Sequence, residues 1–309
     1  MSSSQTRLAE VPVQEPHRTP DSRRRHHRSR WFAEVGWRHL VALAAVFIAL
    51  FPVLFIVSAA LNPLGTVAST SLIPREVSLV HFEALFTDPN RPYLRWFANT
   101  LIISTVVTLG QILCSALAAY AFSRFRFGGR RIGLLSLLLI QMFPQFLAVV
   151  ALYLMFTAIG EVIPQLGLNT LLGYGLLLMG GALSQVWLIK GFFDSVPKEL
   201  DEAAIMDGAD HATVFFRVIF PLVTPILAVT GLLSFIGVLG EFVLASIFLT
   251  DNDVKTLAVG LYATIDADRS GNLGVFAAGA LLTSLPVVLL FQFLQKFITG
   301  GLTAGAVKG

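Results

Sequence analysis

Six long apolar runs constrain this chain more than any other feature of its sequence. About twenty consecutive apolar residues in a helix span the hydrocarbon core of a bilayer, and a soluble domain does not need several such runs. The composition agrees, with 55% hydrophobic and 13% charged residues. The chain is therefore predicted to be an all-α polytopic membrane protein with six transmembrane helices. They are expected at residues 39–61, 98–122, 132–156, 170–189, 226–249 and 275–298.

The first run has an alternative interpretation as a cleaved signal peptide. Val57-Ser58-Ala59 resembles a cleavage site. The run is long for the apolar part of a signal peptide, however, and the 38 residues before it are also long for one. We therefore interpret residues 39–61 as an uncleaved first span.

Residues 1–38 are polar and rich in Ser, Pro, His and Arg, without hydrophobic periodicity. This composition is typical of a disordered basic tail. The stretch Arg23–Arg30 could bind nucleic acid, but an anchor on anionic lipid headgroups is the favoured interpretation. We predict membrane lipid and no nucleic acid as a partner of this tail.

The distribution of positive charge orients the chain in the membrane. Of the 22 Lys and Arg residues, five fall on one side of the predicted spans, and the others fall on the side that holds both termini. Short cytoplasmic loops retain positive charge, so both termini, the basic loop after residue 122 and the segment at residues 190–225 are predicted to be cytoplasmic. The five on the outer side are Arg75, Arg91, Arg95, Lys255 and Arg269.

Two outer segments have distinct patterns. Residues 78–86 place Leu79, Phe82, Leu85 and Phe86 on one helical face, which predicts a short amphipathic helix at the interface. Residues 250–272 are interpreted as a polar loop.

Several kinds of chemistry are missing from the sequence. The single cysteine, Cys114, cannot form a disulfide within one chain, and no metal site is predicted. The phosphate-binding pattern G-x-x-x-x-G-K-[ST] does not occur, so the chain is predicted to bind no nucleotide cofactor and to be no enzyme. An intramembrane enzyme would also need paired catalytic groups, which the spans do not offer.

Residues 190–225 are the charged interruption between the fourth and fifth spans. Pro197 and the acidic residues after it are typical of a helix N-terminus. Gly208 is expected to let the backbone turn, Asp210 to cap a second helix, and Pro221 to stop or bend that helix. The product is a cytoplasmic helix–turn–helix elbow. Leu200, Ala203 and Ala204 should share a smooth face, and the apolar stripe Val214, Phe215, Val218 and Ile219 should lie under the membrane helices.

This elbow resembles the EAA loop of ABC-importer permeases. The matching residues are Glu202, Ala203, Ala204, Asp207, Gly208 and Pro221, with Val218 and Phe220 in place of the usual isoleucine and leucine. The resemblance implies the fold of an ABC type I importer permease, in which this loop docks on a cytoplasmic ATPase. Residues 39–309 would form that permease domain, with the coupling loop at 190–225 and a cytoplasmic tail at 299–309.

Downstream stretches are similar to the smaller permease subunit of maltose/maltodextrin importers. They are Thr256–Gly260, Phe276–Pro286 and Gly301–Gly309. The similarity implies a multi-pass protein of the bacterial cell membrane that imports maltose, maltodextrin or a related α-glucoside such as trehalose. It also implies a second permease subunit, two ATPase subunits that hold ATP and Mg²⁺, and an extracytoplasmic sugar-binding protein.

The resemblance also assigns roles to two further groups of residues. The C-terminal tail would contact the ATPases through Leu302, Thr303, Ala304 and Gly305. The outer loop would contact the sugar-binding protein through Asp251, Asn252, Asp253 and Lys255.

Glu241 is the one clear ionisable residue within the spans. A carboxylate there is a functional candidate by default. We place it, with Gln145 and Gln185, in the translocation path or its gate. The alternative is a proton-coupled secondary transporter that uses Glu241 as its proton site, but no twelve-span or inverted-repeat pattern supports it.

Overall fold

The computed structural model describes residues 35–64, 74, 76–268 and 271–306, and their side chains except at 145, 146 and 299–306. Within these residues the chain is helical and contains no strand. Most of the predicted basic tail therefore lies outside the described residues, as do the side chains of Leu302–Gly305. The helices are α1 (Trp37–Leu61), α2 (Val80–Thr87), α3 (Tyr93–Arg124), α4 (Arg130–Met142), α5 (Gln145–Val162), α6 (Leu171–Met179), α7 (Ala182–Ser195), α8 (Glu199–Met206), α9 (His211–Thr213), α10 (Phe220–Leu239), α11 (Val243–Phe248), α12 (Leu257–Ala267) and α13 (Leu273–Ala306), with a 3-10 turn at Pro164–Leu166 and a π-helix at Val214–Ile219.

The chain divides into two compact units, residues 1–54 and residues 55–309. In the first unit, α1 exposes large apolar side chains such as Leu43, Phe47 and Ile48. Such a surface suits lipid rather than water. In the second unit, the end of α1 packs Ala59 and Ala60 against alanines of α13. Small residues let two helices approach closely inside a membrane.

The described residues contain four candidate membrane spans, or six, the number predicted from the sequence, if each of two bent helix pairs is one span. Four are long apolar helices: α1, α3, the helical stretch His211–Leu239 and α13 over Leu273–Ile298. The other two are helix pairs bent by more than 40°, α4 with α5 and α6 with α7. Pro144 lies at the first break because proline lacks the N–H that a continuous helix would need.

Helix α3 is the element against which the second unit packs. It lies along both α7 and α10. At its C-terminal end it forms an apolar cluster with α7 and the π-helix, so the predicted packing of Val214, Phe215 and Ile219 under the membrane helices is confirmed. The buried members from α3 and α7 are Ala116, Ala119, Tyr120, Val186, Ile189 and Phe193.

The C-terminal part of the chain differs from the sequence-based prediction at the outer loop and at the last helix. Residues 250–272 are not all loop, because Leu257–Ala267 form the helix α12, with Leu257 and Leu261 buried. A short apolar helix that contains a glycine is easily mistaken for a loop. The last helix also continues to Ala306, beyond the predicted start of a tail at residue 299.

The outer amphipathic helix is confirmed as α2, although its faces are only partly as predicted. Leu85 is buried, whereas Leu79 and Phe86 are exposed. His81 is buried instead, with its Nε2 atom 2.8 Å from the carbonyl oxygen of Asn62.

Candidate functional site

The predicted elbow begins with helix α8. It starts two residues after Pro197 and carries Glu199, Asp201 and Glu202 in its first turn. Acidic side chains there face the positive end of the helix dipole. The sequence signals for this N-terminus are therefore confirmed.

The turn after α8 also has the predicted geometry. Gly208 has a φ of 87°, a conformation that glycine adopts without strain. The carboxylate of Asp210 then accepts a hydrogen bond from the N–H of Thr213 at 2.9 Å. Hydrogen bonding to the side chain of Thr213, and then to its N–H, lowers the pKa of the Asp210 carboxyl. The elbow is thus a short helix, a left-handed glycine and a capped second helix.

Pro221 does not stop the second helix, which was one of the two outcomes predicted for it. The helical stretch continues from His211 to Leu239, and its membrane span begins well before residue 226. The backbone passes through the π-helix Val214–Ile219 immediately before this proline. Pro221 then lies in the first turn of α10, directly after the π-helix.

One face of α8 is exposed and combines apolar side chains with a carboxylate. Glu202 and Ala203 are exposed, and Met206 is 87% exposed. Ala204 turns inward and packs on the apolar cluster at the end of α3, so it does not share the exposed face as predicted. The outward surface is completed by Leu200, Ile205 and Asp207.

The opposite face of α8 holds an acidic residue whose burial and partner were not predicted from the sequence. Asp201 is buried and its Oδ2 atom lies 2.5 Å from Nε of Arg124. Burial raises the pKa of the Asp201 carboxyl, and the Arg124 guanidinium opposes that rise. Asp201 and Ala204 are three positions apart, so helical spacing could have placed both on the inner face. The arginine partner is distant in sequence and had no such signal.

A cavity of about 800 Å³ lies among α3, α4, α5, α6, α7 and α10. Its described lining is mostly apolar, with amide and hydroxyl groups, one carboxylate and no Lys, Arg or His. Gln185 and Glu241, both predicted for a translocation path, lie here, whereas the side chain of Gln145 is outside the described residues. The polar lining residues are Gln111, Gln141, Ser184, Gln185, Thr230, Ser234 and Glu241.

Gln111 of α3 is the hub of the polar groups in this cavity. Its side-chain oxygen accepts hydrogen bonds from Ser234 at 2.5 Å and from Gln185 at 3.1 Å. Its amide nitrogen donates to the carbonyl of Leu178 at 2.6 Å, next to the break between α6 and α7. One side chain thus joins three helices around the cavity.

Glu241 lies where the fifth span breaks between α10 and α11. Its carboxylate accepts hydrogen bonds from the hydroxyl of Tyr174 at 2.5 Å and from the N–H groups of Leu244 at 2.8 Å and Ala245 at 2.9 Å. The two backbone donors are at the start of α11, which would otherwise leave them without partners. This arrangement suits a carboxylate that fixes the break.

The predicted outer contact residues form a segment whose backbone is fastened to α3. The Trp96 Nε1 atom donates to the carbonyl of Asn252 at 2.8 Å. Asn99 donates to the carbonyls of Asp253 at 3.0 Å and Lys255 at 3.1 Å. The side chains of Asp251, Asn252 and Asp253 remain exposed. This segment therefore presents polar side chains from a fixed backbone.

Comparison with known proteins identifies the family. The model for "Binding-protein-dependent transport system inner membrane component" matches residues 111–303. The chain belongs to this family. The permease is accordingly a multi-pass protein of the inner membrane, as predicted from its apolar spans.

Curated relatives cover most of the permease. The galactooligosaccharides transport system permease protein GanQ of Bacillus subtilis (strain 168) is 41% identical over 272 residues, which cover 87% of this chain and 94% of that protein. The maltose/maltodextrin transport system permease protein MalG of Escherichia coli (strain K12) is 38% identical over 282 residues, covering 88% and 95%. The resemblance to maltose-type permeases is thereby confirmed.

A solved structure has the same fold. A chain of a bacterial ABC transporter involved in the import of the acidic polysaccharide alginate superposes with a TM-score of 0.70 at 22% identity, covering 91% of this chain and 99% of that chain. The ABC-importer permease fold predicted for this chain is confirmed. At this identity the likeness concerns the fold alone.

Proposed function

We propose that this permease is one of two membrane subunits of an ATP-driven carbohydrate importer, and that its cargo is maltose, maltodextrin or a related α-glucoside such as trehalose. The observation that carries the proposal is the outward face of α8. It is a preformed, exposed surface on the predicted cytoplasmic side of a membrane protein that has no phosphate-binding loop in its own sequence.

The partner at this surface would be an ATPase subunit. Met206 and Leu200 offer apolar area, Ala203 allows close approach, and Glu202 offers a charge for an arginine or lysine of the partner. ATP and Mg²⁺ would be held by two such subunits, and a second permease would complete the path. Residues 302–305 would add a further contact.

The charge of the cavity supports a neutral cargo. Amide and hydroxyl groups can exchange hydrogen bonds with sugar hydroxyls. Glu241 adds negative charge, and the described lining has no cation to offset a uronic acid. The named cargoes of the relatives are galactooligosaccharides and maltose/maltodextrin. A neutral oligosaccharide is consistent with both observations.

A sugar-binding protein would deliver the cargo at the outer side. The family is binding-protein-dependent by its description. The exposed side chains at residues 251–253, on a backbone held by Trp96 and Asn99, give such a protein a fixed polar surface. Docking there needs little ordering of the permease, which favours binding.

The coupling role can be tested in proteoliposomes that contain the whole complex. Glu202→Lys reverses the exposed charge of α8 without touching its buried face. Sugar transport and binding-protein-stimulated ATP hydrolysis should both fall by about tenfold, since a mismatched interface charge costs on the order of 1–3 kcal/mol. Gly208→Pro should have a similar effect because it removes the left-handed turn.

Glu161→Lys is the matched control, because Glu161 is also exposed but lies on the predicted outer side. It should leave both activities near their original values. Normal transport and ATPase stimulation by assembled Glu202→Lys complexes would refute the coupling role of α8.

A further inference from the structure

Arg124, the last residue of α3, contacts two parts of the elbow at once. Its Nε atom lies 2.5 Å from Oδ2 of Asp201, and the two side chains are 5% and 11% exposed. Its Nη2 atom donates to the carbonyl of Val196 at 2.9 Å. One guanidinium therefore fastens both the chain leading into α8 and the first turn of α8.

The neighbouring residues strengthen the same connection. Ser123 donates a hydrogen bond to Asp194 at 2.6 Å, which holds the end of α7. The ring of Tyr120 lies 5.1 Å from that of Phe215 in the π-helix. The last turns of α3 thus contact the end of α7, the first turn of α8 and the π-helix.

A buried ion pair is rarely retained for stability alone. Removing two charges from water costs several kcal/mol, and an apolar pair of similar size often stabilises a protein as well or better. Here the Nε–Oδ2 contact lacks hydrogen-bond geometry, and Nη1 of Arg124 and Oδ1 of Asp201 have no hydrogen-bond partner among the described residues. The pair therefore specifies where α8 lies rather than adding much stability.

Helix α3 connects this pair to the two other candidate sites. It has 32 residues and no proline, so it spans about 48 Å at 1.5 Å per residue. Its middle carries Gln111, the polar hub of the cavity, and its first turns carry Trp96 and Asn99, which hold the outer segment. The elbow, the cavity and the outer segment are thus all fastened to one helix.

We propose that Arg124 is a positioning residue that joins the coupling helix α8 to α3 through Asp201, so that displacement of α8 moves α3 and, with it, the cavity and the outer segment. This rests on the proposed coupling function of α8. In such a joint, both residues of the pair are needed for α8 and α3 to move together. The exposed face of α8 remains free for its partner.

The joint itself can be measured without reference to ATP. A nitroxide is attached at Glu199→Cys, an exposed position of α8 outside the face assigned to the partner, in a Cys114→Ala background because Cys114 is the single cysteine of the chain. In the reconstituted complex, Arg124→Gln and Asp201→Asn should each increase the mobility of this label. The reversed pair Arg124→Asp with Asp201→Arg should recover much of the original spectrum. A label at Glu161→Cys should not change.

Transport supplies the second readout. Sugar transported per ATP hydrolysed should fall by about tenfold in each single variant, within the range by which residues between coupled sites alter coupling. Combining Arg124→Gln with Asp201→Asn should add little, because both changes remove the same contact. Arg126→Gln is the control, since Arg126 is exposed in the same loop and has no ion pair among the described residues.

The outcomes separate this proposal from the coupling function. The joint would be refuted if both single variants had the same label mobility and the same transport per ATP as the Arg126→Gln control. This holds even if Glu202→Lys uncouples the complex. Conversely, a mobilised label with Glu202→Lys fully active would keep the joint and refute coupling through α8. A failure of the single variants to assemble into the complex is a further outcome. In that case the joint would be refuted if the reversed pair restored neither assembly nor the original label mobility.

Discussion

At the scale of single residues, Glu241 shows how a carboxylate can be accommodated within a membrane span. It accepts one hydroxyl and two backbone hydrogen bonds at the start of α11. A carboxylate used as a proton site must release and regain these donors in each cycle. The three short contacts favour a fixed structural group over a proton carrier.

Removing this group should destabilise the permease. Glu241→Ala leaves two N–H groups at the start of α11 and the Tyr174 hydroxyl without their acceptor, and about 1–3 kcal/mol should be lost for the buried donors. Thermal unfolding of the purified protein in detergent should show a lower midpoint. Glu161→Ala, which changes an exposed glutamate, is the control. Equal unfolding midpoints for the two variants would contradict a structural role for Glu241.

Gly260 is a second residue whose role depends on a close approach. A Cβ atom at this position would collide with the indole ring of Trp96, which itself donates to the carbonyl of Asn252. The helix α12 therefore lies against α3 at a distance that only glycine permits. The sequence shows the glycine, but not the ring that requires it.

Gly260→Ala should accordingly separate α12 from α3. Overpacking of this kind typically costs about 1–3 kcal/mol. A lower unfolding midpoint and a change in tryptophan fluorescence are expected. Gly191→Ala is the matched control, because a Cβ at Gly191 meets no atom within 4 Å. Equal stability of the two variants would show that Trp96 moves aside freely.

At the scale of elements, the outer segment is held from two directions. Trp96 and Asn99 of α3 hold its middle, and Asn169 holds its start through hydrogen bonds to the N–H groups of Thr250 at 2.6 Å and Asp251 at 3.1 Å. Asn169 has a φ of 56°, a region that asparagine tolerates better than most residues. The segment is thus fixed on both sides of its exposed residues.

Asn169→Gly should release the start of this segment while keeping the backbone conformation accessible. Hydrogen exchange at Thr250 and Asp251 should accelerate by about tenfold or more, as expected when a local hydrogen bond is lost. Stimulation of ATP hydrolysis by the binding protein should fall as well. Unchanged exchange at both amides would contradict the proposed anchoring.

The elements that the sequence predicted correctly are those with local signals. The N-terminus of α8, the turn at Gly208 and the cap at Asp210 each depend on neighbouring residues. The apolar runs also give local signals, because each run is recognised from its own residues. The contact between Arg124 and Asp201 could not be predicted, because it depends on how α3 and α8 pack.

Misassigned elements have a common physical cause. Pro221 was expected to stop or bend its helix, and residues 250–272 were expected to be loop, because proline and glycine disfavour helix in isolated segments. In the structure a π-helix precedes the proline, and packing on Trp96 supports the short helix. Tertiary contacts therefore outweighed local propensity at both places.

At the scale of the whole molecule, the candidate sites lie on elements that contact α3. The buried face of α8, the cavity around Gln111 and the outer segment each have a direct contact with that helix. In the proposed function, a displacement of α8 would reach the cavity and the outer segment through this helix. We propose that energy enters this permease through α8 and not through a proton at Glu241.

That claim is tested most directly by the energy source for uptake into proteoliposomes. Vesicles that contain the complete complex receive binding protein and labelled maltotriose on the outside. They are energised either by ATP on the inside or by a pH gradient. Uptake should require ATP, remain when a protonophore collapses the gradient, and persist in Glu241→Gln, whose amide oxygen still accepts backbone hydrogen bonds. Uptake that is driven by the pH gradient without ATP, and that is abolished by Glu241→Gln, would contradict the entry of energy through α8.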